Sequence, residues 1–212
     1  AFSDGTPLGS VKSLALGLSD AHRGGHGVIG INFEAGLHLI YKPKDLAAEA
    51  AYNALLSWLN ARGTPLELRA LVVLNRATYG WVTFAEHAAC PDNDAVARYY
   101  YRVGMLLALT YALEGTDCHL ENLIASGEQP ILIDHETLFH HRVPEETTDE
   151  VRSSATYGAF EKMDNSVLRV GLLPGWRVGK DKKIAYDASG LGAFGDQIVP
   201  FRHLRMAYHN TD

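Results

Sequence analysis

"GTDCHLENLIA", residues 115–125, and "ILIDHET", residues 131–137, place acidic, histidine and asparagine side chains at the ends of short apolar runs. The runs "NLIA" and "PILID" are joined by "SGEQ", a pattern that predicts a β-hairpin. A polar loop therefore precedes the hairpin, and an aspartate ends it. Such a loop could simply cap the neighbouring elements, or it could hold the polar groups of a catalytic site.

The composition is typical of a folded domain that does not bind nucleic acid. The chain has 212 residues, 47% of them hydrophobic and 21% charged, with a net charge of -6. Nucleic-acid binders need a basic face for the phosphates. Two cysteines are too few for a disulfide framework or a four-cysteine zinc site, so a reducing cytoplasm is the expected location. The longest apolar run, "MLLALTYAL" at 105–113, is too short for a transmembrane segment, and we expect no signal peptide.

Hydrophobic periodicity predicts helices and strands in a definite order. Asp45 is the predicted N-cap of a helix at 45–63, and the helix at 92–115 is apolar almost all round in its second half, which predicts burial. The predicted order is a glycine-rich loop at 19–27, a hairpin at 28–44, the helix at 45–63, strand–turn–strand at 70–87, the helix at 92–115, the polar loop and the short hairpin. Beyond residue 140 we predict a helix near 145–153, a weak hairpin at 167–187 and glycine-rich loops at 190–195.

Protein kinases have the same order of parts. We therefore predict an α+β fold of the two-lobed protein/lipid-kinase type, present here as an incomplete segment. Residues from 1 to about 90 are expected to form the part equivalent to the N-lobe, and residues from about 91 to 212 the part equivalent to the C-lobe. Because the chain starts at Ala1 without Met, and no cap or tail closes either end, we expect a piece of a longer polypeptide.

The spacing of the polar residues is typical of phosphoryl transfer. Kinases place an asparagine five residues after the catalytic-loop aspartate and a second aspartate beyond the next hairpin. Asp117, Asn122 and Asp134 have this arrangement, and Lys42 ends the strand after the glycine-rich loop. In such enzymes a lysine holds the ATP phosphates, and Mg²⁺ neutralises their charge. ATP and Mg²⁺ are therefore the expected cofactors. The motifs "HRD" and "DFG" are absent, and "TDCHLEN" and "IDHET" stand in their places.

Five segments carry a more specific resemblance: "DAHRGGH", "LIYKP", "YGWVTFAEH", "GTDCHLENLIA" and "LIDHETLFH". They resemble the dehydratase domain of class II lanthipeptide synthetases, the LanM type, over at least residues 19–142, and the resemblance resumes at the C-terminal "RMAYHNTD". The resemblance implies a much-modified lipid-kinase-like fold. It also implies an enzyme that phosphorylates Ser and Thr of a ribosomal precursor peptide with ATP and then eliminates phosphate, leaving dehydroalanine or dehydrobutyrine.

The resemblance assigns roles in phosphorylation residue by residue. Asp117 would orient and deprotonate the substrate hydroxyl, and His119 would lie near the reacting phosphate. Asn122 and Asp134 would hold Mg²⁺. Lys42 would hold the ATP phosphates and help the leaving phosphate.

Four further residues match family positions at the two ends of the chain. Asp20 and His22 match an Asp-x-His in the glycine-rich loop. Arg205 and Thr211 match an Arg-x₅-Thr pair that the family associates with elimination. An Arg guanidinium suits bidentate binding of a departing phosphate.

The chain also departs from the family pattern. It is much shorter than a whole dehydratase domain, and it lacks the cysteine cluster of the zinc-containing cyclase that forms a separate C-terminal domain in the family. The expected partners are therefore the precursor peptide, with leader and core, and the remainder of the synthetase including that cyclase. Glu49, the only Glu of the helix at 45–62, is either the partner of Lys42 or a solvated surface residue.

Other interpretations stay open at the level of sequence. The chain could be a kinase-like protein that only phosphorylates, or a kinase-like module that binds a peptide without turnover. His135, His140 and His141 could ligate zinc, but we favour solvated or hydrogen-bonding histidines. Cys118, next to the predicted catalytic aspartate, is expected to be a small filler rather than a nucleophile, because a nucleophile needs a paired base.

Overall fold

The computed structural model describes residues 2–3, 5, 7–18, 27–139, 153–178 and 185–192. These residues fall into two compact units, one that runs to Glu86 and one that begins at His87. The interpretation of the two units as kinase lobes stays a prediction. Within the described ranges, no helix has the length and apolar character that crossing a membrane requires.

The first unit is built on a five-stranded antiparallel sheet. Its strands follow the spatial order β1-β2-β3-β5-β4. They are β1 (Val11–Ala15), β2 (Ile29–Phe33), β3 (His38–Lys42), β4 (Val73–Asn75) and β5 (Gly80–Thr83). The hairpin predicted at 28–44 is confirmed as the antiparallel pair of β2 and β3. Its turn contains Gly36 at φ 83°, a left-handed conformation that glycine adopts without steric cost.

Helix α1, Ala47–Ala61, connects β3 to β4 and packs through an unexpected face. Its buried residues are Glu49, Tyr52, Asn53 and Leu56, a set with helical spacing that includes two polar side chains. The apolar residues whose spacing predicted the helix, at 47, 51, 55, 58 and 59, are exposed or half-buried. Trp58 is 51% exposed beneath the guanidinium of Arg62. The periodicity therefore predicted the helix correctly without predicting its buried face.

The start of α1 differs from the prediction by one residue. The N-cap is Leu46, whose side chain makes no capping hydrogen bond, and Asp45 precedes it. The Asp45 carboxylate still accepts a hydrogen bond from the Ala47 N–H at 2.9 Å, so it satisfies an amide of the first turn from one position further out. Asn53 fixes the middle of the helix, because its Oδ1 accepts the Leu71 N–H at 2.6 Å.

The second unit contains a long helix, a short hairpin and several smaller elements. They are α2 (Asn93–Ala112), β6 (Leu123–Ser126), β7 (Gln129–Leu132), α3 (Ala155–Asp164), a 3₁₀ helix (Val167–Val170), β8 (Trp176–Val178) and β9 (Ala185–Asp187). The pairing of β6 with β7 confirms the short hairpin, and the pairing of β8 with β9 confirms part of the weak hairpin predicted at 167–187. The segment 167–170 is a 3₁₀ helix rather than a strand. The helix predicted near 145–153 and the loop at 19–27 lie almost wholly outside the described residues.

Helix α2 is capped by Asp92, whose carboxylate accepts the Ala95 N–H at 2.7 Å. The prediction that this helix is buried all round is wrong, because Gly104, Ala108 and Ala112 are exposed. These outward positions are occupied by small residues, which read as apolar in the sequence yet expose little apolar surface. The buried face contains Ala95, Arg102, Val103, Leu106 and Thr110.

The β6–β7 hairpin is fixed to α2 by an ion-pair network at its turn. Glu128 lies in that turn and pairs with Arg98 and with Arg102, whose Nη1 is 3.0 Å from Glu128 Oε1. The hydrogen bond from Arg98 lowers the pKa of the Glu128 carboxyl and raises the pKa of Arg98 itself. The network fixes the hairpin that carries Asn122 before it and Asp134 after it.

Candidate functional site

In the first unit, Lys42 and Glu49 form an ion pair. Lys42 is the last residue of β3, and its Nζ lies 3.4 Å from Glu49 Oε1. The Glu49 side chain is only 4% exposed, and the Lys42 ammonium group compensates its charge there. Of the two readings left open for Glu49, the solvated surface residue is therefore wrong.

In the second unit, the polar loop gathers three of the predicted site residues. The Asn122 side-chain amide donates a hydrogen bond to the backbone oxygen of Asp117 at 2.9 Å. His119 Nε2 lies 3.6 Å from Asp117 Oδ1 and 3.3 Å from Asn122 Nδ2. The Asp117 carboxylate is 54% exposed, so it is accessible to a substrate. The spacing in the sequence has thus brought the predicted base next to a predicted metal ligand.

The hydrogen bonds of this loop define the neutral tautomer of His119. The backbone N–H of Glu121 donates to His119 Nδ1 at 3.1 Å, so Nδ1 is an acceptor and carries no proton. In a neutral imidazole the other nitrogen, Nε2, then carries the hydrogen. The 3.3 Å approach of Asn122 Nδ2 to Nε2 is therefore a contact of two donors rather than a hydrogen bond. His119 presents an N–H, and not a lone pair, beside the Asp117 carboxylate.

Asp134 is brought to Asn122 by the register of the hairpin. Leu123 pairs with Leu132, and the Ile133 N–H donates to the backbone oxygen of Asn122 at 3.0 Å. Residue 134 therefore follows directly on the residue that faces Asn122. The Asp134 Oδ1 accepts the Glu136 N–H at 3.3 Å, which orients the carboxylate in a local turn.

The residue types at this position suit a hard divalent cation. Because the Asn122 amide nitrogen is engaged by the Asp117 carbonyl, its oxygen is the atom available for a metal. An amide oxygen and a carboxylate are ligands that Mg²⁺ accepts, with water and phosphate oxygens completing the octahedron. No group of three or more His, Cys, Asp or Glu suited to a metal occurs among the described residues, and a Mg²⁺ held partly by phosphate does not require one.

The backbone of the polar loop is held from two sides. The Cys118 N–H donates to the Val170 carbonyl at 2.9 Å, and the Leu120 N–H donates to the Ala188 carbonyl at 3.2 Å. His119 also forms an isolated antiparallel bridge with Ser189. These partners lie far along the chain, and the sequence predicted only a weak hairpin and glycine-rich loops there. Gly190 was the one signal of this contact in the sequence, because a glycine allows two backbone segments to approach closely.

Arg169 ties the end of α2 to the segment that holds the loop. Its Nη2 donates to the Tyr111 carbonyl at 2.7 Å, and it pairs with Glu114 at 3.0 Å. The guanidinium also lies 4.1 Å from the centre of the Tyr111 ring. A cation is favourable at a helix C-terminus, where the last carbonyls are unsatisfied. No pattern in the sequence predicted a role for Arg169.

Two side chains near the loop are buried and do not face solvent. Burial raises the pKa of the Cys118 thiol to about 12, and the neighbouring Asp117 charge adds to the effect. The interpretation of Cys118 as a small filler fits this environment, since a thiol that stays protonated is a poor nucleophile. His135 is buried, so the solvated reading is wrong for it, whereas His140 and His141 lie outside the described residues.

Four predicted site residues lie outside the described ranges. They are Asp20, His22, Arg205 and Thr211. Their assignments rest on the family motifs alone.

The chain belongs to the family described as "Domain of unknown function (DUF4135)", which matches residues 1–212. A curated relative is the lacticin 481/lactococcin biosynthesis protein LcnDR2 of Lactococcus lactis subsp. lactis, 33% identical over 178 residues. That match covers 77% of this chain and 19% of the relative, so the chain spans about a fifth of the relative's length. Together these matches confirm the relationship to class II lanthipeptide synthetases that the motifs predicted.

Proposed function

We propose that the chain is part of an enzyme that dehydrates Ser and Thr residues of a ribosomal lanthipeptide precursor. The reaction would proceed by phosphorylation from ATP and then elimination of phosphate. The observation that carries the proposal is the arrangement of Asp117, His119 and Asn122, in which an exposed carboxylate lies beside an imidazole N–H and an amide. The similarity of the chain to a lantibiotic biosynthesis protein supports a role of the whole enzyme in lanthipeptide synthesis.

In the first half-reaction, Asp117 accepts the proton of the substrate hydroxyl. The hydroxyl oxygen forms a bond to the γ-phosphorus of ATP as the bond from that phosphorus to the ADP oxygen breaks. His119 donates a hydrogen bond from its Nε2–H to an oxygen of the transferring phosphoryl group, the role that its tautomer favours. Proton transfer to a positioned side chain, here Asp117, typically increases the rate by about 10²–10⁴-fold.

Lys42 holds the ATP phosphates in this proposal, and Glu49 is its ion-pair partner. Lys42 supplies the positive charge, and the buried Glu49 carboxylate orients it. A strand lysine paired with a glutamate of the following helix is typical of protein kinases. The position of Lys42 at the end of β3 and of Glu49 in the first turn of α1 therefore supports a kinase-like fold.

Asn122 and Asp134 hold Mg²⁺ in the proposal, which neutralises charge on the phosphates when it is bound. The hydrogen bond from Glu136 orients the Asp134 carboxylate for this task. The hydrogen bond to the Asp117 carbonyl orients the Asn122 amide oxygen.

In the second half-reaction, the Cα proton of the phosphorylated residue is removed and the bond from Cβ to the phosphate oxygen breaks. An alkene and inorganic phosphate result. We assign Arg205 and Thr211 to the binding of the departing phosphate on the family's Arg-x₅-Thr motif, while Asp20 and His22 match the family's Asp-x-His. The cyclase of the whole synthetase would then add Cys thiols of the precursor to the alkenes.

The test uses the full-length enzyme, the precursor with its leader and core, ATP and Mg²⁺. Each dehydrated residue lowers the precursor mass by ~18 Da, because phosphorylation and elimination together remove one water. Asp134→Asn should leave the precursor unmodified, and Arg205→Ala should let phosphopeptide accumulate with a gain of ~80 Da. Near-normal dehydration by Asp134→Asn would remove the metal assignment.

The same spectra separate the proposal from its two rivals. Phosphopeptide as the final product of the wild-type enzyme would indicate a kinase that stops at the phosphate ester. Unmodified precursor that nevertheless binds tightly to the wild-type enzyme would indicate a non-catalytic binding module.

A further inference from the structure

Glu49 is shared by two lysines. Lys42 Nζ lies 3.4 Å from Glu49 Oε1, and Lys44 Nζ lies 3.6 Å from the same oxygen atom. Glu49 is buried, whereas the Lys44 side chain is 30% exposed. The first unit therefore holds one carboxylate between two cations, and the trio carries a formal charge of +1.

The sequence "KPK", residues 42–44, explains why both lysines reach one side chain. Pro43 restricts the residue before it to extended conformations, and β3 includes Lys42 as its last residue. The chain then bends at residues 43–44, directly before the first turn of α1. Lys44 therefore follows Lys42 towards α1, which presents Glu49 on its buried face.

A single lysine has conflicting tasks at such a position. Glu49 holds Lys42 through charge, and a phosphate draws the same ammonium group away from Glu49. A buried carboxylate that loses its cationic partner is strongly destabilised, because its charge is left uncompensated away from water. A second cation on the same oxygen atom removes this conflict, because Glu49 stays paired when Lys42 turns to the phosphate.

We propose that Lys44 is a positioning residue that keeps Glu49 paired while Lys42 binds the phosphates of ATP. This inference rests on the proposed function of Lys42 and deepens it. Lys44 acts through Glu49. The effect on affinity requires no contact between Lys44 and the nucleotide.

The experiment measures the affinity of the full-length enzyme for a non-hydrolysable ATP analogue with Mg²⁺, well below the unfolding temperature of each variant. Lys44→Gln should raise Kd about fivefold, which is the effect of losing an ion pair of about 1 kcal/mol. Lys44→Arg keeps the charge and should stay within about twofold of the wild type by the same conversion. Lys12→Gln is the matched control, since Lys12 is an exposed lysine of β1 in the same unit, and it should leave Kd unchanged.

A double-mutant cycle distinguishes positioning from direct binding. In a Glu49→Gln background, Lys44→Gln should have no further effect on Kd, because Glu49 no longer needs a cation. An equal loss of affinity in both backgrounds would mean that Lys44 contacts the nucleotide itself, and would overturn the proposal. An unchanged Kd for Lys44→Gln would overturn it as well.

The same binding measurements distinguish a wrong assignment of Lys42 from a wrong role of Lys44. If the wild type binds the analogue and Lys42→Ala binds it equally well, Lys42 is not the phosphate lysine and both proposals are overturned. If Lys42→Ala and Glu49→Gln weaken binding but Lys44→Gln does not, the nucleotide site stands and only the role of Lys44 is wrong.

Discussion

The side-chain amide of Asn122 donates a hydrogen bond to the backbone carbonyl of Asp117 over 2.9 Å. Two residues that were predicted to have separate roles, one as base and one as metal ligand, are thus parts of a single local structure. The Asn122 amide nitrogen fixes the start of the loop, and its oxygen remains for the cation that we propose. Substitutions of Asn122 should therefore affect the placement of Asp117 as well as the metal.

Asn122→Asp tests this coupling. The carboxylate still offers a hard oxygen to Mg²⁺, but it cannot donate to the Asp117 carbonyl and repels it. We expect turnover to fall by about 100-fold, the size of effect that a displacement of about 1 Å has at a catalytic group, with little change in nucleotide affinity. Steady-state kinetics of precursor phosphorylation and analogue binding measure the two quantities. A turnover near the wild-type value would mean that the hydrogen bond does not position Asp117.

Gly190→Ala tests the segment that supports the loop. A Cβ at Gly190 would lie 2.6 Å from the Cys118 carbonyl oxygen and 2.8 Å from Leu172 Cδ1, so the backbone contact must open. We expect a loss of about 1–3 kcal/mol in the free energy of unfolding, measured by urea denaturation, as for overpacking in a core.

The matched control for Gly190 is Gly104→Ala. Gly104 lies in α2 with no atom within 4 Å of a Cβ, so an alanine should stabilise the helix by about 0.5–1 kcal/mol. Equal effects of the two substitutions would contradict the close contact at Gly190.

Glu128→Gln should remove a pH-dependent part of the stability. Its pairing with Arg98 lowers the pKa of Glu128 in the folded state, so the contribution is full above the ordinary titration range of a glutamate. It is lost as the pH falls through the lowered pKa. The difference in free energy of unfolding between wild type and Glu128→Gln should therefore be present at neutral pH and vanish in acid, and added salt should reduce it.

Glu161→Gln supplies the control for that titration, since Glu161 is an exposed residue of α3. Its stability difference from wild type should vary less with pH. A difference for Glu128→Gln that stays constant into acid would mean that the pair with Arg98 does not form in solution.

Cys118 should resist alkylation in the folded protein. With its pKa raised to about 12, about one thiol in ten thousand is ionised at a pH of about 8. Iodoacetamide labelling followed by peptide mass spectrometry should therefore modify Cys90, which is only half-buried, before Cys118. Both should react quickly in denaturant. Equal labelling rates in the folded protein would show that the loop around Asp117 opens readily.

The sequence alone predicted most of the elements between residues 28 and 132 and most of the local groupings there. Two β-rich runs separated by "EAG" predicted the hairpin of β2 and β3, and the pattern around "SGEQ" predicted that of β6 and β7. The five-residue spacing of Asp117 and Asn122 predicted a pair that is in fact hydrogen-bonded. Such features depend on neighbours in the chain, which periodicity and turn chemistry describe directly.

The tertiary structure alone decided which face of a helix is buried and which distant segments meet. Nothing in the spacing of α1 selected the face that contains Glu49 over the face that contains Trp58, because burial depends on the sheet against which the helix packs. The support of Cys118 by Val170 and of Leu120 by Ala188 consists of backbone hydrogen bonds. Nearly every residue offers the same backbone groups, so residue identity does not show which backbone segments will pair. The sequence therefore predicted the candidate site residues of this protein but not the segments that support them.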